Sequence, residues 1–254
     1  MSEPARSESA GPALAVIPAR GGSKRIPGKN IRALAGRPAI AYTIDAALES
    51  GVFARVVVST DSDEIAEVAL RSGAEVPFVR DASIADDHTP VSLVTVDALE
   101  RLDPDGTTFH AVAQLMANCP LRTAADVRDS LAQFAAGGAR AQLSVTRYGW
   151  LNPWWAMRRD ASNVLEPLFG REATARSQDL PDLFCPTGAI WWATASTLRR
   201  ERTFHVSGRT GWELPWWRAV DIDTMDDWRM AELLLERQAL AAVTGAQTGA
   251  GDDA

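Results

Sequence analysis

A short apolar segment that runs into a glycine-rich basic loop constrains this chain more than any other feature of its sequence. Residues 14–18 are apolar throughout, a pattern typical of a buried strand. Residues 19–30 follow with three glycines and both lysines of the chain, Lys24 and Lys29. Glycine lets backbone N–H groups approach an anion closely, and lysine offers a compact ammonium that fits between phosphate oxygens. This arrangement is typical of an α/β fold that holds nucleotide phosphates, and a solvated basic turn is the alternative.

Bulk composition indicates a globular protein and argues against several functions. The chain has 254 residues, of which 46% are hydrophobic and 23% charged. A net charge of −7 argues against nonspecific nucleic-acid binding. We see neither a membrane span nor a signal-peptide core, so we expect no membrane partner. Cys119 and Cys185 lack metal-ligand spacing and are expected to be reduced, as in a cytoplasmic protein.

Alternation of apolar runs with helical patterns predicts the fold class. After the first strand we expect strands at residues 56–59, 75–79, 110–116 and 141–146, with helices that begin near Pro38, Ser62, Thr89 and Thr123. Such alternation predicts an α/β fold with a mainly parallel, Rossmann-like sheet and right-handed crossovers. Ligands of such sheets bind beyond the carboxyl ends of the strands, where Arg20, Asp61 and Asn118 would lie.

The chain is expected to form one domain, residues 13–242. Residues 1–12 and 243–254 are rich in small and polar residues and are expected to be disordered. The α/β alternation stops at about residues 150–188, which we interpret as an inserted lobe. Eight of the nine tryptophans lie between Trp150 and Trp217. Packing under long loops or at a subunit interface is the favoured interpretation for them, and ligand stacking is the alternative.

Two carboxylates near the end of the chain form a candidate metal site. Asp221 and Asp223 are two positions apart in a segment expected to be a strand, so both point to the same face. Mg²⁺ binds through few carboxylates together with substrate phosphates. Helix N-capping is the alternative, but Asp226 and Asp227 fit that role better because they begin the following helix.

Other nucleotide-binding and catalytic motifs are missing. Asn30 follows Gly28-Lys29 where a Walker A loop has serine or threonine, and the chain has no GxGxxG fingerprint. The three histidines are scattered, without a serine elbow or a cysteine–histidine pair. Covalent catalysis therefore has little support.

Several segments of the chain resemble the sequence motifs of a known family. Residues 17–31, with the sequence IPARGGSKRIPGKNI, closely resemble the signature of the acylneuraminate cytidylyltransferases, or CMP-sialic acid synthetases. Similarity continues through residues 58–61 and 221–224 and covers roughly residues 14–240. Residues 77–81 and 176–180 most resemble the pseudaminic acid branch. The resemblance implies a nucleotidyltransferase fold with a dimerisation lobe. It also implies that CTP and a small acidic acceptor are the substrates and that the protein forms a homodimer.

The resemblance also implies a reaction and roles for particular residues. A nine-carbon keto-acid sugar would attack the α-phosphorus of CTP through its anomeric hydroxyl and release pyrophosphate. Arg20, Lys24 and Lys29 would be catalytic, and Asp221 and Asp223 would hold Mg²⁺. The implied nucleotide-binding residues are Ala19, Arg20, Gly21, Gly22, Ser23, Lys24, Asn30, Arg80, Ala85, Asp87 and Thr89. The implied acceptor-binding residues are Asn118, Arg176, Gln178 and Thr187.

One block departs from the family pattern and leaves the acceptor open. Residues 114–122 are two residues longer than the usual sialic-acid form, and Arg122 is unusual for the pseudaminic branch. Met116 or Asn118 is then the candidate for the acceptor-facing position. Another carboxylated or phosphonate acceptor stays open, as do a sugar-phosphate nucleotidyltransferase and a non-catalytic nucleotide-binding homologue.

Overall fold

The structure, a computed structural model, describes residues 11–85 and 89–248. Most of the two expected disordered ends, residues 1–10 and 249–254, lie outside these ranges. The helices are α1 (Ala39–Ser50), α2 (Asp63–Arg71), α3 (Val91–Leu102), α4 (Ala124–Gly137), α5 (Ala195–Glu201) and α6 (Met225–Thr248). The strands are β1 (Ala13–Pro18), β2 (Ala33–Leu34), β3 (Arg37–Pro38), β4 (Phe53–Ser59), β5 (Ala111–Gln114), β6 (Ala141–Arg147), β7 (Met157–Arg159), β8 (Leu165–Pro167), β9 (Phe184–Thr194) and β10 (Thr210–Glu213).

A six-stranded sheet with the order β10-β6-β9-β5-β1-β4 forms the centre of the fold. Strand β1 pairs in parallel with β4 and β5, and β10 pairs in parallel with β6. Strand β9 runs antiparallel to both of its neighbours. All six residues of β1 are buried, as expected for a strand that has neighbours on both edges and layers on both faces. The mainly parallel α/β prediction is confirmed.

Local sequence signals fix the helix ends as expected. The Ser62 hydroxyl accepts a hydrogen bond from the Ile65 N–H at the start of α2. Thr123 and Asp126 form a reciprocal capping box at the start of α4. Gly51 follows α1 in the left-handed conformation, with φ of 67°, which a glycine adopts without steric cost. The first two caps begin α2 shortly after β4 and α4 at the end of the segment that follows β5.

Two predicted strands are wrong. Residues 75–79 form two isolated bridges, Val57 with Glu75 and Thr60 with Val79, instead of a continuous strand. Pro77 lies between the bridged positions and has no N–H to donate to a ladder. Residues 219–224 also form no strand. They follow a 3₁₀ turn and are tied down by a backbone hydrogen bond of 2.9 Å from the Ile222 N–H to the Asn118 carbonyl.

The inserted lobe lies between β6 and β9. It consists of the β7–β8 hairpin and short 3₁₀ turns, and most of its residues are exposed. Trp154 contacts Phe169 edge-on at 5.1 Å between ring centroids, and the Trp155 Nε1–H donates to the Ala175 carbonyl at 3.0 Å. These two tryptophans therefore pack within the lobe, as the favoured interpretation requires. Trp150, in contrast, is 86% exposed.

No helix within residues 11–85 and 89–248 is both long enough and apolar enough to cross a membrane.

Trp192 is a centre of the core on one side of the sheet. It is fully buried in β9 and stacks on Phe53 and Phe134, at 5.4 and 6.1 Å between ring centroids. Its Nε1–H donates to the Ser130 hydroxyl at 3.0 Å, so its single polar group is satisfied. The ring thereby joins the central sheet to α4.

We predict that Trp192→Ala lowers the free energy of unfolding by about 3–5 kcal/mol, because it removes this packing and leaves a cavity. Leu70→Ala, at a position that is 57% exposed on α2, is the control and should change it by less than about 0.5 kcal/mol. Guanidinium unfolding followed by circular dichroism measures both. Equal effects of the two substitutions would contradict the assignment of Trp192 to the core.

Candidate active site

A cleft of about 480 Å³ opens beyond the carboxyl ends of β1 and β5. Its walls come from the loop after β1, from the segment after β5 and from residues 219–224. The predicted site residues that line it are Arg20, Ser23, Lys24, Lys29, Asn30, Asn118 and Asp223. The structure thus brings together, at the edge expected for a parallel sheet, residues more than 190 positions apart in the chain.

The loop of residues 19–30 is held in shape by side-chain hydrogen bonds. The Asn30 amide donates to the Arg20 carbonyl at 3.0 Å and closes the loop. The Gly21 N–H donates to the Asp61 carboxylate at 2.9 Å, which ties the loop to the segment after β4. Gly28 has φ of 64° and its carbonyl accepts from two following N–H groups, so the turn there favours glycine. Asn30 and Asp61 therefore order the backbone around the basic side chains.

The carboxylates of Asp221 and Asp223 have different partners. Asp221 accepts a hydrogen bond from the Asn118 amide, whose Nδ2 also lies 3.3 Å from the Ile222 carbonyl. Asp223 pairs with the Lys29 ammonium at 3.2 Å and with the Arg25 guanidinium at 3.0 Å. Ile222, which separates them in the sequence, is fully buried. Carboxylate and buried side chains therefore alternate along the segment as predicted, although no strand forms.

The charge of one carboxylate affects the other. Desolvation by the surrounding protein, followed by the negative charge of Asp223, raises the pKa of Asp221 above its ordinary value, although its side chain still reaches solvent. A carboxylate whose pKa is raised by a neighbouring carboxylate is suited to share a cation with that neighbour, so this donor set fits a divalent metal. Among the described residues there is no cluster of three or more histidine, cysteine, aspartate or glutamate side chains placed for a metal. Any metal here would therefore need further ligands from substrate and water.

A second cavity, of about 220 Å³, adjoins the cleft and shares Pro18, Arg20 and Met116 with it. Arg80 and Thr89 also line it, together with apolar side chains. The Arg80 guanidinium is buried and bonded to the Ser59 hydroxyl and carbonyl. Burial lowers the pKa of Arg80, and the nearby Asp61 carboxylate opposes that shift.

Ala85 and Asp87 were also predicted to belong to this region. Ala85 is half-buried and directly follows the 3₁₀ turn that carries Ile84, one of the lining residues. Asp87 lies outside the described residues, so its predicted role stays a prediction.

The predicted acceptor residues are not all brought to the cleft. Asn118 lines it. Arg176 and Gln178 lie on an exposed 3₁₀ turn of the lobe and are not part of the cleft lining of the described chain. The Thr187 hydroxyl is buried within 2.7 Å of the Ser144 hydroxyl, so it is used inside the sheet. Within one copy of the chain, the structure therefore places Asn118 alone of these four at the cleft.

Gly188 and Arg25 are neighbours of the candidate metal site to which the sequence patterns assign no role. A Cβ atom on Gly188 would lie 2.8 Å from the Met116 Cγ and 3.3 Å from the Asp221 Oδ2. The close approach of β9 to these side chains thus requires glycine, and the spacing of the sequence contains no signal for it. Arg25 was one of several arginines near the loop, and its pairing with Asp223 depends on the fold.

The close contact at Gly188 gives a testable prediction. Gly188→Ala should lower the free energy of unfolding by about 1–3 kcal/mol, because the added methyl group displaces Met116 from a packed position. Gly137→Ala is the matched control, since a Cβ atom there meets nothing within 4 Å. Thermal and guanidinium unfolding of both variants measure the difference. If the two variants are equally stable, the approach of β9 to Met116 and Asp221 is not as close as described.

Comparisons with known proteins agree with this geometry. The sequence profile of the family described as cytidylyltransferase matches residues 14–133. Pseudaminic acid cytidylyltransferase of Campylobacter jejuni (strain 81-176) is 34% identical and is aligned over 87% of this chain and 95% of its own. CMP-N,N'-diacetyllegionaminic acid synthase of Legionella pneumophila is 36% identical over 88% of this chain and 96% of its own.

Similarity of fold extends to solved structures of lower sequence identity. CMP:2-keto-3-deoxy-manno-octonic acid synthetase, in complex with CTP, has a TM-score of 0.67 and 16% identity over 89% of this chain and 99% of its own. Its likeness shows the shared fold. Because relatives that are 34% and 36% identical match 87% and 88% of this chain, it belongs to the cytidylyltransferase family and is a CTP-dependent nucleotidyltransferase.

Proposed function

We propose that this protein transfers CMP from CTP to the anomeric hydroxyl of a nonulosonic acid, a sialic acid-like sugar of the pseudaminic type, and releases pyrophosphate. One observation carries the proposal. The cleft at the strand ends brings the basic loop of residues 19–30 to the Asp223 carboxylate. The relatives named for pseudaminic and diacetyllegionaminic acid support the acceptor class. CTP as a substrate also favours the cytoplasm as the compartment of the reaction.

The basic loop is suited to the triphosphate. Arg20, Lys24 and Lys29 line the cleft and carry three positive charges. The acceptor hydroxyl attacks the α-phosphorus and loses its proton to solvent, and the bond between that phosphorus and the oxygen of the leaving pyrophosphate breaks, with its electron pair passing to the pyrophosphate. Negative charge then grows on the pyrophosphate, and fixed cations that are already oriented stabilise it without reorganisation. Ordering of the loop by Asn30 keeps these cations in place.

Mg²⁺ is the metal we propose for the carboxylate pair. Asp221 and Asp223 would hold it, because the mutual repulsion that raises the pKa of Asp221 is relieved by a divalent cation. When bound, Mg²⁺ supplies positive charge to the phosphate oxygens at the reacting centre. The Asn118 amide orients Asp221 by donating to its carboxylate. This hydrogen bond also leaves the other carboxylate oxygen of Asp221 available.

The second cavity is suited to the nucleoside. It joins the cleft at Arg20, so a nucleotide whose phosphates lie near Arg20 reaches directly into it. Its lining combines apolar side chains with Arg80 and Thr89, which matches a flat base that also needs polar contacts. We assign Arg80, Thr89, Ala85 and Asp87 to this part of the nucleotide site.

We further propose a homodimer in which the lobe contacts a second copy. The lobe exposes apolar side chains, among them Leu151, Leu165 and Leu168, which are 67%, 57% and 51% exposed. Clustered exposed apolar residues are typical of an interface. Contact between lobes would allow Arg176 and Gln178, which lie away from the cleft of their own copy, to approach the cleft of the other. Arg176 could there form a bidentate pair with the acceptor carboxylate.

The dimer is tested by light scattering after size exclusion. Leu165→Asp should convert a dimer to a monomer, because it places a charge in an apolar contact. Leu70→Asp, at an equally exposed position on α2, is the control and should leave the mass unchanged. A wild-type protein that is already monomeric at high concentration would contradict this part of the proposal.

Pyrophosphate release tests the reaction. We expect release with CTP, Mg²⁺ and one acid from a panel of pseudaminic, legionaminic and neuraminic acids, and none with ATP, GTP or UTP. Asp223→Ala should abolish it. Lys24→Met should lower kcat by about 10²–10³-fold, because it removes one fixed cation at the leaving group. Arg71→Gln is the control, since Arg71 pairs with Glu67 on the exposed side of α2.

The remaining outcomes separate the alternatives. A product with a pyrophosphate linkage, formed from a phosphorylated hexose, would instead indicate a sugar-phosphate nucleotidyltransferase. Turnover with none of the nonulosonic acids but with another carboxylated or phosphonate compound would contradict the acceptor class alone. Binding of CTP without turnover of any acceptor would contradict catalysis.

A further inference from the structure

Both oxygens of the Asp223 carboxylate are paired with cations of the basic loop, residues 19–30. The Lys29 Nζ lies 3.2 Å from Oδ1, and the Arg25 Nη2 lies 3.0 Å from Oδ2. Asp221, the other half of the proposed metal site, is bonded to the neutral amide of Asn118. The two carboxylates therefore differ, because only Asp223 has cationic partners among the described hydrogen bonds and ion pairs.

The two cations are held differently. The Lys29 side chain is only 15% exposed, and its ammonium also donates to the Ile222 carbonyl at 2.6 Å, so it is fixed in the structure. The Arg25 side chain is 66% exposed, and Asp223 is its ion-pair partner. A largely exposed pair is weak and can exchange partners. Arg25 is thus the cation that can leave Asp223 when a stronger anion arrives.

A triphosphate in the cleft would be such an anion. Arg25 lines the cleft together with Arg20, Lys24 and Lys29. A guanidinium binds phosphate in a bidentate, charge-assisted manner, and a triphosphate carries more charge than a single carboxylate. Movement of Arg25 from Asp223 to the phosphates would expose the Oδ2 atom of Asp223.

We infer that Arg25 competes with the divalent cation for Asp223 until the nucleotide binds, and that this exchange couples metal binding to CTP binding. The inference rests on the proposed metal and nucleotide sites. Before CTP binds, the Arg25 guanidinium neutralises Asp223 and repels a divalent cation. After CTP binds, the Oδ2 atom of Asp223 is free to accept the metal, while Oδ1 stays paired with Lys29. Because coupling between two sites is reciprocal, the metal must increase the affinity for CTP by the same factor.

Direct titration with Mn²⁺, followed by electron paramagnetic resonance, tests the competition in protein without nucleotide. Arg25→Gln should bind Mn²⁺ about fivefold more tightly than the wild type, because the competing cation is gone. The matched control is Arg32→Gln, which removes the same charge from an arginine whose guanidinium stacks on the Trp228 ring. Its Mn²⁺ affinity should stay close to that of the wild type. Asp223→Asn combined with Arg25→Gln should lose the gain.

The coupling is tested by measuring the affinity for CTP with saturating Mn²⁺ and again with a chelator. The ratio of the two affinities should fall about fivefold in Arg25→Gln and stay unchanged in Arg32→Gln. Binding of Mn²⁺ to free CTP is the same for all variants, so it cancels when the ratios are compared.

Several results would overturn the inference. An unchanged or weaker Mn²⁺ affinity in Arg25→Gln would do so, as would an equal gain in Arg32→Gln or a gain that persists without Asp223. These measurements need no acceptor and no turnover. Failure of the proposed reaction would instead appear as absent pyrophosphate release from wild-type protein.

Discussion

The Lys29 ammonium joins the two sides of the cleft, and the rest of the site depends on that contact. It donates to the Ile222 carbonyl at 2.6 Å and pairs with Asp223, although it belongs to the loop that follows the first strand. A mostly buried ammonium is costly unless its partners are close and complete, so this position favours one arrangement of the loop against residues 221–223. The basic loop of residues 19–30 and the proposed metal ligands are therefore oriented relative to each other before any substrate arrives.

Positive charges on one side of the cleft face negative charges on the other, and this arrangement suits an anionic substrate bound together with a divalent cation. Basic side chains of the loop face the Asp221 and Asp223 pair, whose repulsion and desolvation raise the pKa of Asp221. Beneath them, the buried Arg122 donates to the carbonyls of Met116 and Cys119, and burial lowers its pKa to about 10. Arg122 thus shapes the segment that carries Met116 and Asn118.

The fold class and the position of the basic loop at the strand ends could be predicted from the sequence, because both follow from local patterns. An apolar strand, its glycine-rich loop and the capped helices need no knowledge of distant residues. The prediction of a strand at residues 75–79 was wrong because Pro77 interrupts the hydrogen bonding. The prediction of a strand at residues 219–224 was wrong because that segment has no partner strand. Gly188 and the pairing of Arg25 with Asp223 could not be predicted, since each depends on segments that meet only in the folded chain. The positions proposed for the acceptor depend in addition on how two copies would associate.

Transfer of labelled phosphate from CTP tests the central claim most directly. CTP labelled with ³²P at the α-phosphate, and separately at the γ-phosphate, is incubated with Mg²⁺ and the acceptor acid that supports pyrophosphate release. The account predicts that the α-label enters the sugar product and the γ-label is recovered only in pyrophosphate. Appearance of the γ-label in the sugar, or its release as inorganic phosphate, would contradict it, because the enzyme would then be a kinase or a hydrolase.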